Sequence, residues 1–181
     1  MKNPIFIDFE ASSLSVAHSY PIEIAFTSEK DGENLFYSKL IKPVKNWLDW
    51  SVDAENLHGI SLNDLMHYGE NVKKVAKEVN SILSGEVVFA DGGSYDQMWC
   101  RKLFEAAGIE PEFKIKDLMY ALSEEQVNNW DKVKNNILRR TQMPLHRAGN
   151  DVILMNKVFN ETLDIENRNR KFRSLYRQKM R

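Results

Sequence analysis

The chain has 181 residues, 43% of them hydrophobic and 28% charged, with 25 Lys and Arg against 26 Asp and Glu, which describes one soluble globular domain with enough apolar residues for a sizeable core. Eight glycines and five prolines exclude collagen-like, low-complexity and disordered chains. The single cysteine, Cys100, excludes an intramolecular disulfide and a cysteine-based zinc site.

In chain order, the run Pro4-Ile-Phe-Ile-Asp-Phe-Glu10 reads as a strand ending near Glu10. Residues 21–27 and 35–41 are two further β-like runs, separated by a polar segment with the turn signal Asp31-Gly32, so a three-stranded antiparallel meander is expected. From residue 72 the apolar side chains fall at helical spacing, at Val72, Val75, Ala76, Val79, Ile82 and Leu83, with Gly85 as a stop. Residues 87–90 form a short buried strand, and Ser94 opens a helix that carries Trp99, Cys100, Leu103, Phe104 and Ala107 on one face and closes at Gly108. A fifth strand is expected over residues 113–118, a weaker helix over 124–138, and a last helix from about 145–149 to about 163. Strands first, then strands alternating with helices, predict a mixed sheet flanked by helices. Residues 1–165 then form one domain and residues 166–181 a basic tail or helix extension.

Three acidic places stand at the ends of these elements. Asp8 and Glu10 are two apart on a strand, so both carboxylates project from one face about 7 Å apart. Buried isolated carboxylates are costly, so this pair must be solvated, paired with cations or bound to metal. Asp96 falls in the first turn of a helix, where it either complements the helix dipole or serves as a ligand. His146 precedes Asp151 by five residues at the start of an apolar helix, a place open to capping as well as to catalysis. Taken together, hard oxygen ligands from separate elements, without a competing cysteine or histidine cluster, suit Mg²⁺ or Mn²⁺. Two such ions are what phosphodiester hydrolysis needs, with a neutral imidazole nearby to take the proton of the attacking water.

The ordered set Asp8-x-Glu10, Tyr95-Asp96 opening a helix, and His146-x₄-Asp151 resembles the three exonuclease motifs of the DEDD superfamily in its histidine subclass (DEDDh). Ile5-Phe-Ile-Asp-Phe-Glu-Ala-Ser-Ser-Leu14 is similar to that family's opening strand, Pro21-Ile-Glu-Ile-Ala25 to the strand that follows, and Leu57-His-Gly-Ile-Ser61 to its "x-H-G-I-T/S" segment. The resemblance implies an α/β, ribonuclease H-like fold with a mixed five-stranded sheet, and 3′→5′ release of nucleoside monophosphates from single-stranded RNA or DNA. It implies that Asp8, Glu10, Asp96 and Asp151 hold two divalent metals and that His146 is the general base. Leu14 would pack against the terminal base, Glu10 would also receive the 3′-hydroxyl, and the backbone near Ser12 and Gly92 would lie against the substrate strand. The chain departs from the family pattern at Ser12-Ser13, in place of Thr-Gly, and at Asp91-Gly92-Gly93, in place of His-Asn-Ala. Two glycines permit close backbone approach there, and Asp91 adds an acidic group near the site.

Seven of the last fifteen residues are basic (Arg168, Arg170, Lys171, Arg173, Arg177, Lys179, Arg181) and none is acidic, which leaves 18 basic against 26 acidic side chains in the body. Such a tail, with Phe172 and Tyr176 interleaved, either attracts a nucleic-acid strand or is a solvated helix end that meets the acidic body of its own or a neighbouring subunit. Relatives that are homodimers make the second arrangement an expectation here too. Trp47 and Trp50 either stack on bases or cap an apolar cluster; His58 is expected to be structural and Cys100 a small buried hydrophobe. Short apolar runs and the lack of a signal-peptide h-region give a cytoplasmic location with no membrane partner as the default. Two other functions compete with a nuclease that slightly favours RNA: a nucleic-acid-binding module of the same fold without meaningful catalysis, and a phosphohydrolase of small nucleotides.

Overall fold

The computed structural model describes residues 3–30 and 33–179. Five strands form one sheet in the order β3-β2-β1-β4-β5. They are β1 (Ile5–Ala11), β2 (Pro21–Lys30), β3 (Glu33–Leu40), β4 (Val87–Ala90) and β5 (Lys114–Asp117). β1, β2 and β3 pair antiparallel, while β4 runs parallel to both β1 and β5. The sheet is therefore mixed, as the order of elements predicts. β2 and β3 are longer than their apolar runs because they pair along their whole length, from Glu23↔Leu40 to Lys30↔Glu33. The expected Asp31-Gly32 turn lies outside the described residues.

Alternation along β1 sends its side chains to two different layers. Ile5, Ile7, Phe9 and Ala11 enter one core with α3 (Val72–Leu83) and α4 (Ser94–Ala107). Phe6 points the other way, into a core built by α6 (Ala148–Lys179), where its ring meets Phe159 at a centroid distance of 5.8 Å. Asp8 and Glu10 share the parity of Phe6, so both belong to the α6 side. α5 (Glu124–Thr141) packs on the outer flank of α6 through Val133, Ile137, Leu154 and Val158.

Two short helices, α1 (Val52–His58) and α2 (Leu62–Tyr68), occupy the connection between β3 and α3. Ser51 caps the first, and Ser61 with Asp64 forms a capping box on the second. Beside them Trp47 stacks on Tyr20 with centroids 5.0 Å apart, and Trp50 donates its indole N–H to Glu55 Oε2 at 2.7 Å. Both tryptophans belong to the apolar cluster of Tyr20, Ile22, Ile60 and Leu65, the capping arrangement of the two expected. Cys100 is buried, and that burial pushes its thiol up to about 12.

The last helix does not stop near residue 163. α6 runs unbroken to Lys179 because no Gly or Pro follows Gly149, and Arg170 pairs with Glu166 one turn back. The boundary expected at 165/166 falls inside this helix. Among the described residues no helix is long and apolar enough to cross a membrane.

Candidate metal centre

The site is built where β1 ends against the start of α6. The register between β1 and β2 shifts between Glu10 and Ala11, a local irregularity of the kind that re-aims a strand end. Asp8 and Glu10, on the α6 face of β1 by alternation, meet Asp151, in the first turn of α6. One carboxylate oxygen from each of Asp8, Glu10 and Asp151 lies within 4.8 Å of the other two. All three are half-buried, so the mouth of the cluster is open.

Asp96 stands beside this triad rather than in it. It is 1% exposed, and neither carboxylate oxygen has a hydrogen-bond partner among the described residues. Its position follows from the turn before α4. Gly93 takes φ 58 with ψ −115, a backbone conformation open essentially to glycine alone. A Cβ on Gly92 would lie 2.3 Å from Asp96 Oδ2. The absence of a side chain at Gly92 thus makes the space into which the Asp96 carboxylate folds.

These acids repel one another. Burial, then the charges of Asp96, Glu10, Asp91 and Asp151, hold Asp8 well above the usual carboxylate range. Glu10 is pushed up to about 8 by burial and by Asp151 and Glu23, against the opposing Arg147. Asp96 is pushed up to about 7 by burial and by Asp91; the nearby backbone of Phe9, Asp96 and Gly92 tempers the shift. Burial also raises Asp151. A cluster that cannot ionise fully on its own, with two buried oxygens lacking partners, suits a hard divalent cation. Asp8, Glu10 and Asp151 fit it directly, and Asp96 supplies the unsatisfied oxygens at its side.

The remaining predicted residues have distinct settings. His146 lies in the loop between α5 and α6, exposed, with φ 61, close enough for its charge to act on Asp151. Leu14 is 74% exposed on the loop after β1. Ser12 is buried; its hydroxyl donates to Asp49 Oδ2 at 3.2 Å and accepts from the Tyr20 N–H at 3.1 Å. Its neighbour Ser13 also donates to Asp49, so Asp49 ties down both serines. His58 is buried, accepts the Ile60 N–H on Nδ1, and has no partner for Nε2 among the described residues. Burial lowers its pKa.

No family model matches the chain, and no curated protein does. Solved structures do. The chain is similar in fold to E. coli exonuclease I. The structure of that enzyme with a dA16 oligonucleotide aligns with a TM-score of 0.65 at 15% identity, over 87% of this chain and 40% of the other. The complex with a dT13 oligonucleotide gives 0.63 at 15%, over 97% and 44%. The zinc-bound form of its single-stranded DNA complex gives 0.60 at 16%, over 97% and 43%. The chain thus spans about two fifths of the length of these structures. The likeness establishes the α/β fold, with its mixed five-stranded sheet and flanking helices.

Sequence reasoning did not foresee one residue that touches the site's frame. Glu23 is 2% exposed on β2, paired in register with Glu10. It receives Arg147 Nε at 3.1 Å and Arg147 Nη2 at 3.0 Å. A glutamate between Ile22 and Ile24, in a strand whose neighbours are fully buried, was the available signal: a charge inside an apolar strand requires a partner. Asp91, the added acidic group expected near the site, acts by its charge on Asp8, Asp96 and Asp151 and pairs with Lys134 of α5 at 3.7 Å.

Proposed function

We propose that the chain is a metal-dependent 3′→5′ exonuclease, of the DEDDh type, that releases nucleoside 5′-monophosphates from the 3′ ends of single-stranded nucleic acid. The observation that carries this reading is the convergence of Asp8, Glu10 and Asp151 within 4.8 Å, from β1 and α6. The fold it shares with exonuclease I, solved with DNA oligonucleotides, supports it.

Asp8, Glu10, Asp96 and Asp151 would hold two divalent ions, Mg²⁺ or Mn²⁺. Such ions supply charge stabilisation for a pentacoordinate phosphorus and lower the pKa of an attacking water. His146, exposed on its loop beside Asp151, takes the proton of that water as general base. Leu14 offers an exposed apolar surface to the terminal base, and Glu10 receives the terminal 3′-hydroxyl. The backbone at Gly92 and Ser12 borders the path of the strand. RNA is the slightly favoured substrate, and contacts to the 2′-hydroxyl would decide it.

A time course on 5′-labelled single-stranded RNA and DNA of one sequence, with Mn²⁺, Mg²⁺ or EDTA, tests this beside Asp8→Asn. The expected result is a metal-dependent ladder shortening from the 3′ end and absent in the variant. Intact strands under all conditions, or hydrolysis of mononucleotides alone, would sink the proposal.

A further inference from the structure

The loop that carries His146 is held from one side by a single buried carboxylate. Glu23 accepts four hydrogen bonds: two from the Arg147 guanidinium, one from the Ala148 N–H at 3.0 Å and one from Ser38 Oγ at 3.3 Å. Arg147 is the residue after His146, and its own N–H donates to Asp151 Oδ2 at 3.1 Å. One acid on β2 therefore fixes, through one arginine, both neighbours in the site: the histidine before it and the aspartate four residues after it.

The backbone here needs such an anchor. His146 has φ 61 and Gln142 φ 49, the only two non-glycine residues with positive φ among those described. A left-handed residue of this kind is strained and persists only where its surroundings over-determine it. The first turn of α6 also sits close on the sheet: a Cβ on Gly149 would lie 3.0 Å from Phe36 Cζ. That leaves little freedom for the loop to relax while Glu23 and Arg147 stay engaged. The bidentate geometry adds orientation that a point charge would not.

We propose that Glu23 is a positioning residue, acting through Arg147 to hold His146 in its left-handed backbone conformation and Asp151 toward Asp8 and Glu10. This deepens the reading of the site given above and rests on it for its kinetic consequence. Glu23 touches no substrate; its effect passes through the loop.

Two measurements test it. The first is kinetic, with Glu23→Gln and His146→Ala combined in a double-mutant cycle. Glu23→Gln is expected to lower kcat by about 10–100-fold, the range for residues that orient a functional group, with KM changed by less than about threefold. In the His146→Ala background its cost should be clearly smaller, since only the part that passes through Asp151 is left. Additive losses, or a loss confined to KM, would overturn the proposal. The second is independent of activity: the backbone NMR shifts of His146 should move from left-handed values toward averaged loop values in Glu23→Gln, while those of Ile24 and Ala25 on β2 stay in place. Unchanged His146 shifts would overturn it too. Wild-type protein without metal-dependent hydrolysis would instead defeat the exonuclease reading, and the NMR arm would still decide the role of Glu23. Should Glu23→Gln fail to fold, Arg147→Lys breaks the fork from the half-exposed side and is read by the same two measurements.

Discussion

Glu23 and Asp96 are both buried carboxylates, 2% and 1% exposed, and the molecule treats them in opposite ways. At the junction of β2 and α6, Glu23 is surrounded by donors and joined to an arginine. At the junction of β4 and α4, Asp96 has neither oxygen hydrogen-bonded among the described residues and is pushed up to about 7 by burial and by Asp91. A buried acid with its partners in place is part of the frame, whereas one without them is held ready for something the chain does not provide. The contrast separates what supports the site from what performs its chemistry.

The largest effect falls on the performing side. His146→Ala is expected to lower turnover by about two to four powers of ten, as loss of a general base does, while Mn²⁺ affinity measured by calorimetry stays nearly unchanged. A large loss of metal binding in that variant would contradict its assigned role. Asp8→Asn and Asp151→Asn should lose metal binding and activity together.

The next effect tests the comparison itself, because the two buried acids should move stability in opposite directions. Glu23→Ala removes four hydrogen bonds and strands Arg147, which is partly exposed, so a cost of about 2–4 kcal/mol is expected, somewhat below that of a fully buried pair. A domain of this size melts about 2–4 °C lower for each kcal/mol lost. Asp96→Asn, measured without metal at pH 8, should melt at or above the wild-type temperature, since a charge without a partner has been removed. If both variants melt alike, the distinction between frame and chemistry fails.

Much of this was legible in the sequence where one residue's surroundings are local. The spacing of Val72, Val75, Ala76 and Val79 with its glycine stop marks α3, the bounds of β4 follow from its apolar run, and the alternation around Asp8 and Glu10 puts both acids on one face. The helices α1 and α2 escape notice because seven-residue helices with exposed Val52, Leu57, Leu62 and Met66 show no apolar period. Their trace was in the caps, Ser51 and Ser61, and in Gly59 and Gly69. The length of α6 was left open by charge: a run of basic residues reads as a tail or as a helix extension, and nothing in it stops a helix already nucleated on the core. The pair of Glu23 and Arg147 spans 124 residues, and no local pattern joins them. Nor does sequence show that Gly92 leaves room for the Asp96 carboxylate.

A pH effect of intermediate size follows from the acids of the site. In the folded, metal-free protein Glu10 titrates at about 8 and Asp96 at about 7, and Asp8 lies well above its usual range. In the unfolded chain these groups titrate at roughly 4. The folded state therefore binds more protons between these values, and stability falls as pH rises from about 4 toward 8. Thermal melts without metal should show that decline. Saturating Mn²⁺ should oppose it most at the alkaline end, where fewer protons compete for the carboxylates. A metal-free melting temperature that rises steadily from pH 5 to pH 8 would show that the cluster is not under the mutual repulsion described.

The smallest effect concerns the rim, where frame and chemistry meet. Lys134 pairs with Asp91 at 3.7 Å, both side chains being at least one third exposed, so Lys134→Ala should change stability by no more than about 0.5 kcal/mol. Its influence on the acids is electrostatic. Asp91 raises Asp8, Asp96 and Asp151, and Lys134 offsets part of that charge. Without the lysine, the cluster presents a more negative field to an incoming cation, so Mn²⁺ affinity should rise about two- to threefold at low salt and the gain should vanish at high salt. An affinity that falls instead would mean that Lys134 orients the Asp91 loop and, through the glycines after it, the unpartnered carboxylate of Asp96. The lysine would then belong with Glu23 among the groups that hold the site.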